Sequence, residues 1–573
     1  MLQIAAAALA LQLTVAPQPA VQGAARELPV HARSTAVDSA RDLGRARSAQ
    51  AAFEKSRRAQ LPISYGGSGR CDVRLGRYCW WYDETTPKFP PEATSIIERR
   101  AELLAELDAL SARYPGDDWL AGMRVHYRID GKHFPAADSA ASACRASAWW
   151  CSALTGYAAH ARGNEARADS AFNAAIAAMT PDEACAWRNI TPLLGGGDRD
   201  GYEHRACEAR AVIETRYWVL SQPQLATRAN EWRNEFNVRR VLVHLAEHAA
   251  TPHALAWGDD AAELVLRYGW PAAWSRVLTS SVNASDPAII GHDPSPSFTF
   301  APGVRIGDSA SAVAPDAWDM NAPRGETRYA PHQVGRMTQV AAQFARFRRG
   351  DSTLVVAAFA ARDDSLVAPV ATLVAAHADS APLASVPDTS HAGRARLMLG
   401  GVPVLVGMEL IDTTMRTLAR TRVAFAPVAD SARLAVSDLL VYRAGEDMAG
   451  SLDSALAHAI PGDTVTKGRP LGVFWETYGL SADGESVDVA VSVERIDHSW
   501  IRSTRQKLGL TPMDTPIKVR WTDARPPANQ AAPHAISMDL ENLDPGRYRL
   551  TLTLTPSGGA AATSTREIAL QNP

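Results

Sequence analysis

The chain has 573 residues, 46% of them apolar and 21% charged, with a formal net charge of −3 at pH 7. That length accommodates about three domains at roughly 100–200 residues each, and an apolar fraction near one half supports buried cores rather than disorder. The near-neutral balance excludes the basic footprint of a nucleic-acid binder, and no run beyond the first residues reaches the ~18 apolar positions of a transmembrane segment.

Residues 1–22 read as a signal peptide. The run from Leu2 to Ala16 is apolar, with Pro17, Pro19 and small residues behind it, the content of a secretory h-region with cleavage candidates near Ala16 and Ala20. Met1-Leu2-Gln3 carries no Lys or Arg, so a positive n-region is missing. The six cysteines, Cys71, Cys79, Cys144, Cys151, Cys185 and Cys207, all lie in the first 210 residues. An even, clustered set in an exported chain reads as disulfides. Pairing by sequence proximity joins Cys71 to Cys79, Cys144 to Cys151 and Cys185 to Cys207, one of many pairings that six cysteines allow. An unbroken helix separates positions seven apart by about 10.5 Å, more than the ~7 Å between Cα atoms that a disulfide tolerates. Cys144 and Cys151 therefore pair only if a helix ends between them. No C-x2-C spacing occurs, which argues against a cysteine zinc cluster.

Residues 23–91 are expected to be a flexible leader with one short helix, followed by an irregular Cys-containing loop (66–91, GGSGRCDVRLGRYCWWYDETTPKFPP). From Glu92 the apolar period becomes helical. Ile96, Ile97, Leu103, Leu104, Leu107 and Leu110 recur at three- and four-residue steps until Pro115-Gly116, and a second helix is predicted from Asp118 to Arg128. The stretch from Trp149 to Pro181 reads as two helices broken at Gly163-Asn164. Gly156, Ala168, Phe172 and Ala175 fall where a tetratricopeptide repeat places its small and aromatic packing residues, although Ser152 stands where that repeat has Trp. Further helices are predicted over Tyr202–Leu220 and Trp232–Ala250. Residues 92–284 thus form a TPR-like helical domain, and 285–350, rich in Pro, Gly and Ser, an irregular linker.

The period then changes to two. Segments in 351–445 predict a first β-sandwich, 446–467 a short helix and linker, and 468–573 a second sandwich. In the last, Val487, Val489, Val491 and Val493, then Tyr548, Leu550, Leu552 and Leu554, alternate with polar residues. The fold class expected is an all-α N-terminal half of TPR-like helical hairpins joined to an all-β, immunoglobulin-like C-terminal half.

The segment from Ala256 to Pro271, AWGDDAAELVLRYGWP, resembles the core of the GWxTD domain. Trp257 and Asp260 match the signature, Ala256 and Asp259 replace its Gly and Thr, and Arg267-Tyr268-Gly269 with Pro271 match the Tyr-Gly-x-Pro turn that closes a following strand. The resemblance implies an export signal and a β-rich region after this core, where VFWETY (473–478) and LDPGRYRL (543–550) look like recurring elements. It implies no chemistry. On the residues alone, Trp257 and Trp270 are core anchors, and Asp259-Asp260 suit the start of a helix.

One chemical motif stands out. His244-Leu245-Ala246-Glu247-His248 matches H-x-x-E-H, in which two His one helical turn apart bind zinc and Glu polarises a zinc-bound water. A third protein ligand is still required, and the chain offers no supporting pattern for one. Gly195-Gly196-Gly197 lacks the Lys-Ser or Lys-Thr of a phosphate loop. The fifteen tryptophans carry the binding argument. Trp149, Trp150, Trp187, Trp218 and Trp232 fall in the helical half, where stacked hairpins make concave surfaces whose binding energy rests on large aromatics and Arg. The expectation is an exported envelope protein that binds a protein or peptide partner, without cofactor, nucleic acid or transmembrane segment. The alternatives are a zinc-dependent hydrolase using Glu247 between the ligands His244 and His248, and a structural envelope component without a specific partner.

Overall fold

The computed structural model describes residues 30–63, 73–75, 78–81, 91–253, 256–276, 289–293, 298–303, 305–307, 312–318, 320, 327–362, 366–377, 383–384, 392–425, 434–479, 486–497, 517–523, 531–556 and 560–573. The expected signal peptide at 1–22 and Cys71 lie outside them.

An N-terminal helical half precedes a C-terminal half of strands, as the change of period predicts. The helices are α1 (Val30–Gln60), α2 (Thr94–Arg113), α3 (Asp118–Asp130), α4 (Phe134–Ser142), α5 (Ala148–Ala161), α6 (Glu165–Ala178), α7 (Pro181–Arg188), α8 (Gly196–Glu203), α9 (Cys207–Ser221), α10 (Glu231–Ala246) and α11 (Asp259–Tyr268). The hairpin of α5 and α6 turns at Gly163, whose φ of 72° suits a residue without Cβ. Asn164 then caps α6 by accepting from the Arg167 N–H. Gly156 lies directly under the Phe172 ring, and Ala168 and Ala175 are buried beside it.

The flexible leader expected at 23–91 is corrected by α1, a helix of 31 residues. Its apolar periodicity is weak because its buried side is largely polar: Asp42, Gln50, Glu54 and Arg57 are buried alongside Ala46 and Phe53. Gln50 donates to Tyr127 Oη at 2.6 Å and to the Ala250 carbonyl at 2.8 Å, Tyr127 donates to Glu54 at 2.9 Å, and Arg57 donates to Asp130 at 3.0 Å. Burial pushes the Glu54 carboxyl up to about 7, with Arg57 opposing the shift and Asp130 adding to it. The folded chain then holds a proton that the unfolded chain releases above its ordinary carboxylate range. Stability is therefore full at low pH and falls as pH rises toward 7. Glu54→Gln keeps an acceptor for Tyr127 and removes the ionisation. In urea melts the variant should gain about 3 kcal/mol on the wild type between pH 4 and pH 8. Parallel pH curves for the two proteins would refute this.

Four short strands, β1 (Val73–Leu75), β2 (Tyr78–Trp81), β3 (Ala273–Arg276) and β4 (Ile289–His292), form a sheet in the order β1-β2-β4-β3. It packs Tyr78, Trp80 and Trp274 against Leu264 of α11.

The first sandwich is built from β5 (Arg336–Thr338), β6 (Val340–Arg349), β7 (Ser352–Ala361), β8 (Val370–Ala376), β9 (Leu383–Ala384), β10 (Ala392–Gly400), β11 (Leu405–Asp412) and β12 (Thr417–Ala424). Sheet β10-β7-β6 faces sheet β5-β12-β11-β8-β9 across Val355, Phe359, Leu373, Met408 and Leu410. The second comprises β13 (Ala435–Val436), β14 (Leu440–Arg443), the helix α12 (Leu452–Ala457), β15 (Thr464–Thr466), β16 (Leu471–Tyr478), β17 (Val487–Arg495), β18 (Ile517–Asp523), β19 (Ala532–Met538), β20 (Gly546–Pro556) and β21 (Ala562–Gln571). Sheet β15-β21-β20-β17-β18 covers one face of β16, where Val473 and Trp475 meet Val489, Val491, Leu550 and Leu552.

The boundaries expected at 285–350, 351–445 and 446–467 shift accordingly. β5 and β6 lie inside the expected linker, and β13 and β14 pair with β16 of the second sandwich. Pairing between segments distant in the chain leaves no mark on period, so the boundary was not readable. β7 reads as an unbroken apolar run because both its faces are covered. Val355 and Phe359 face the first core, while Val356 and Ala358 pack on Leu440, Phe474 and α12.

The two halves share a core. Phe298, Phe300, Met320, Tyr329 and Met337 join the core of the helical half, where Tyr329 stacks on Trp232 of α10. A polar clamp adds to this. Glu409, Arg420 and Arg422, none more than 2% exposed, face the 220–226 loop. Glu409 accepts from the Leu225 and Ala226 N–H groups at 2.9 and 3.0 Å and from Arg422 at 2.7 Å. Arg420 donates to the carbonyls of Gln222 and Pro223 at 3.0 and 2.7 Å, and Arg422 donates to the same two.

Candidate functional site

The helical half carries an open groove of about 390 Å³ between α6, α7, α9 and α10. Its walls are set by local chemistry. α7 begins at a capping box, in which Thr180 and Glu183 satisfy each other's backbone N–H, with Pro181 in the first turn. Cys185 on α7 is bonded to Cys207, the first residue of α9, which fixes the spacing of these two walls at 5.9 Å between Cα atoms. Trp187 donates from Nε1 to Asn237 Oδ1 at 2.8 Å, tying α7 to α10. On the far side the half-buried Trp218 rests against Phe236 at 5.4 Å between centroids and edge-on to Trp232 at 6.3 Å.

The polar lining is unequal in charge. Glu214 is buried, accepts from Tyr202 Oη at 2.7 Å, and has its carboxyl raised by that burial. Arg188 lies 3.7 Å from it, and Arg233 is paired with Asp169. Arg228 is exposed at the rim and makes no hydrogen bond or ion pair with the described residues. The groove therefore presents aromatic surface beside an unspent positive charge.

A second cavity of about 240 Å³ lies across Trp187, lined by Trp149, Met179, Glu183, Arg240, His244 and Glu247. Three of the five tryptophans proposed as binding residues, Trp149, Trp187 and Trp218, thus border these openings. The other two are corrected to core. Trp150 and Trp232 are 1% exposed; Trp150 donates to the Asp118 carbonyl at 2.8 Å, and Trp232 stacks on Tyr329 at 5.4 Å. Composition counts tryptophans but cannot separate those that face inward on the same helix from those that face out.

The H-x-x-E-H motif falls where α10 ends. His244 is in the last turn, Glu247 is the C-cap and His248 follows it. The two imidazoles lie 5.9 Å apart between centroids, and His244 is held edge-on to Trp150 at 4.7 Å and Trp149 at 5.5 Å. Burial lowers its pKa. Among the described residues no third His, Cys, Asp or Glu joins this pair within ligand distance, so the donor set does not fit a hydrolytic zinc centre. The GWxTD-like segment places Asp259 and Asp260 in the first turn of α11, where carboxylates favour the helix dipole. Tyr268 ends that helix rather than a strand. Gly269, with φ of 90°, turns the chain beneath the Arg239 guanidinium.

Cys144 and Cys151 are bonded with 5.5 Å between Cα atoms, which is possible because α4 stops at Ser142 and α5 starts at Ala148. Cys79 is also disulfide-bonded.

A polar cluster missed by the sequence reading lies where α5, α6 and α10 meet the 331–334 loop. His160, buried, places Nδ1 3.0 Å from Glu165 and Nε2 3.1 Å from Glu235. Burial opposes its charge, but the hydrogen bonds to Glu165 and Glu235 outweigh burial and raise the ring to about 10. His332, half-exposed, lies 3.8 Å from Glu165 and 3.9 Å from Glu231. Burial raises the Glu231 carboxyl. No spacing motif connects these residues, since the fold alone brings His332 back to the helices.

No protein-family model and no curated protein matches the chain. Solved structures with a partial likeness include red sea bream transglutaminase, 10% identical over 41% of this chain and 32% of that one, with a TM-score of 0.14. Another is the β-glucuronidase of Bacteroides uniformis, 9% identical over 38% of this chain and 26% of that one, with a TM-score of 0.15. The chain thus spans about a third or less of either, and likenesses at these scores carry no argument about fold or activity.

Proposed function

We propose that this is an exported protein of the bacterial cell envelope, of the GWxTD-like kind, that holds a segment of a partner protein in the groove between α7, α9 and α10. The observation that carries this reading is the groove itself: Trp218 and the edge of Trp187 beside Arg228, which pairs with none of the described residues. Aromatics and Arg supply most of the energy at such surfaces. Charge complementarity favours an acidic segment with an apolar or aromatic anchor. The disulfides Cys144–Cys151 and Cys185–Cys207 support an oxidising compartment. Among the described residues no helix is long and apolar enough to cross a membrane.

Selection from a displayed peptide library against the purified chain tests the reading. Acidic sequences with an aromatic residue should be enriched. Trp218→Ala and Arg228→Glu should each weaken the best peptide about tenfold or more, as expected when an anchor worth over 1 kcal/mol is removed. No enrichment, or binding indifferent to both substitutions, would leave the structural-component reading in its place.

A further inference from the structure

We infer that His160, Glu165 and His332 form a binding site for a divalent transition metal of the zinc class, flanked by Glu231 and oriented by Glu235. One ligand atom from each of the three lies within 4.8 Å of the other two. Donor atoms around a tetrahedral zinc sit roughly 3.3 Å apart, given bonds of about 2.0–2.1 Å. The separations are 3.0 Å for His160 Nδ1 to Glu165 Oε2, 3.8 Å for His332 Nδ1 to Glu165 Oε1, and 3.9 Å for His332 Nδ1 to Glu231 Oε1. Small side-chain movements close such a set around an ion. Two imidazoles with a carboxylate suit zinc, iron(II) or cobalt(II) rather than calcium or magnesium.

The surroundings carry the inference further than the distances. A ligating imidazole almost always gives its other N–H to a carboxylate, a backbone carbonyl or water. His160 Nε2 has Glu235 at 3.1 Å, and Glu235 accepts from Arg239 Nε at 2.6 Å. Arg239 is in turn fixed to the carbonyls of Leu266, Arg267 and Arg328 at 3.1, 2.7 and 2.8 Å. Asn234 donates to Glu165 Oε2 at 3.0 Å, while Glu165 Oε1, also shielded from solvent, accepts no hydrogen bond from the described residues. Each ligating imidazole nitrogen must be free of its proton, which leaves to solvent as the ion binds. The half-exposed His332 supplies the way in. Its loop leads into β5, so the ion would tie the entry of the first sandwich to α5 and α6.

Cobalt(II) is the probe. The full chain is stripped with a chelator, dialysed, and titrated while its visible ligand-field absorption is followed. Wild type should take up one equivalent, and zinc should displace it. His332→Ala, at a half-exposed position that should not disturb the fold, should lose about 100-fold or more in affinity, and Glu165→Gln likewise. Glu235→Gln should weaken binding by about 10–100-fold, as outer-shell changes do. A His244→Ala/His248→Ala double variant should bind as wild type does. No uptake by wild type, undiminished binding in His332→Ala and Glu165→Gln, or loss confined to the His244/His248 variant would each overturn the site.

Discussion

Glu409→Ala will cost about 3–5 kcal/mol of stability and loosen the helical half from the first sandwich. Glu409 is fully buried and accepts three hydrogen bonds, from the Leu225 and Ala226 N–H groups and from Arg422. Removing it leaves the Arg422 guanidinium buried without its counter-charge and two amide groups without an acceptor. Burial already pushes the Arg422 pKa down, and Glu409 opposes that shift, so its loss enlarges the penalty. Buried ion pairs can often be exchanged for apolar residues at little cost. That exchange should fail here, because the Leu225 and Ala226 N–H groups lose their acceptor and the buried Arg420, which stays, loses its counter-charge. Glu409→Leu/Arg422→Met should therefore remain destabilised by several kcal/mol on the same grounds. Urea unfolding, with limited proteolysis near residues 220–226, measures both. A Glu409→Ala protein within about 1 kcal/mol of wild type would show that water, not the clamp, satisfies this loop.

Phe172→Ala should cost about 3–5 kcal/mol, from lost burial and the cavity left between α5 and α6. The ring is 1% exposed and covers Gly156. The complementary change is Gly156→Ala. A Cβ there would lie 2.8 Å from three carbons of the ring, so α5 and α6 must move apart, at a cost of about 1–3 kcal/mol. Combining the two should be less damaging than their sum, since the smaller residue at 172 makes room for the added methyl. Strict additivity in thermal or urea melts would mean that the two residues do not meet.

The Gly156–Phe172 contact was legible in the sequence because it is local: a glycine and an aromatic at fixed offsets across a Gly-Asn turn admit few arrangements. The change of period from helix to strand was legible for the same reason, as was the condition that a helix end between Cys144 and Cys151. The clamp was not. In β12, Arg420 and Arg422 alternate with Ala419, Thr421 and Val423, which reads as a strand with one face in water. Only the 220–226 loop, far away in the chain, turns that face into an interior. α1 was hidden by the opposite substitution, with Gln50, Glu54 and Arg57 standing where apolar residues would announce a buried helix. The binding face was half legible. Its tryptophans were named, but Arg228, Asn237 and Glu214 were not, because a polar residue gains meaning only from its neighbours across the groove. The His160 cluster had no sequence signal at all.

The sheet β10-β7-β6 serves as a wall to two cores at once, and Arg566 of β21 reaches back to the Phe344 carbonyl across the same junction. A shared wall cannot hinge. The C-terminal half should therefore behave under load as one stiff strut instead of two beads on a string. Whatever the helices grip would then be presented at a fixed distance and angle from the last strand, as a bracket presents what is bolted to it.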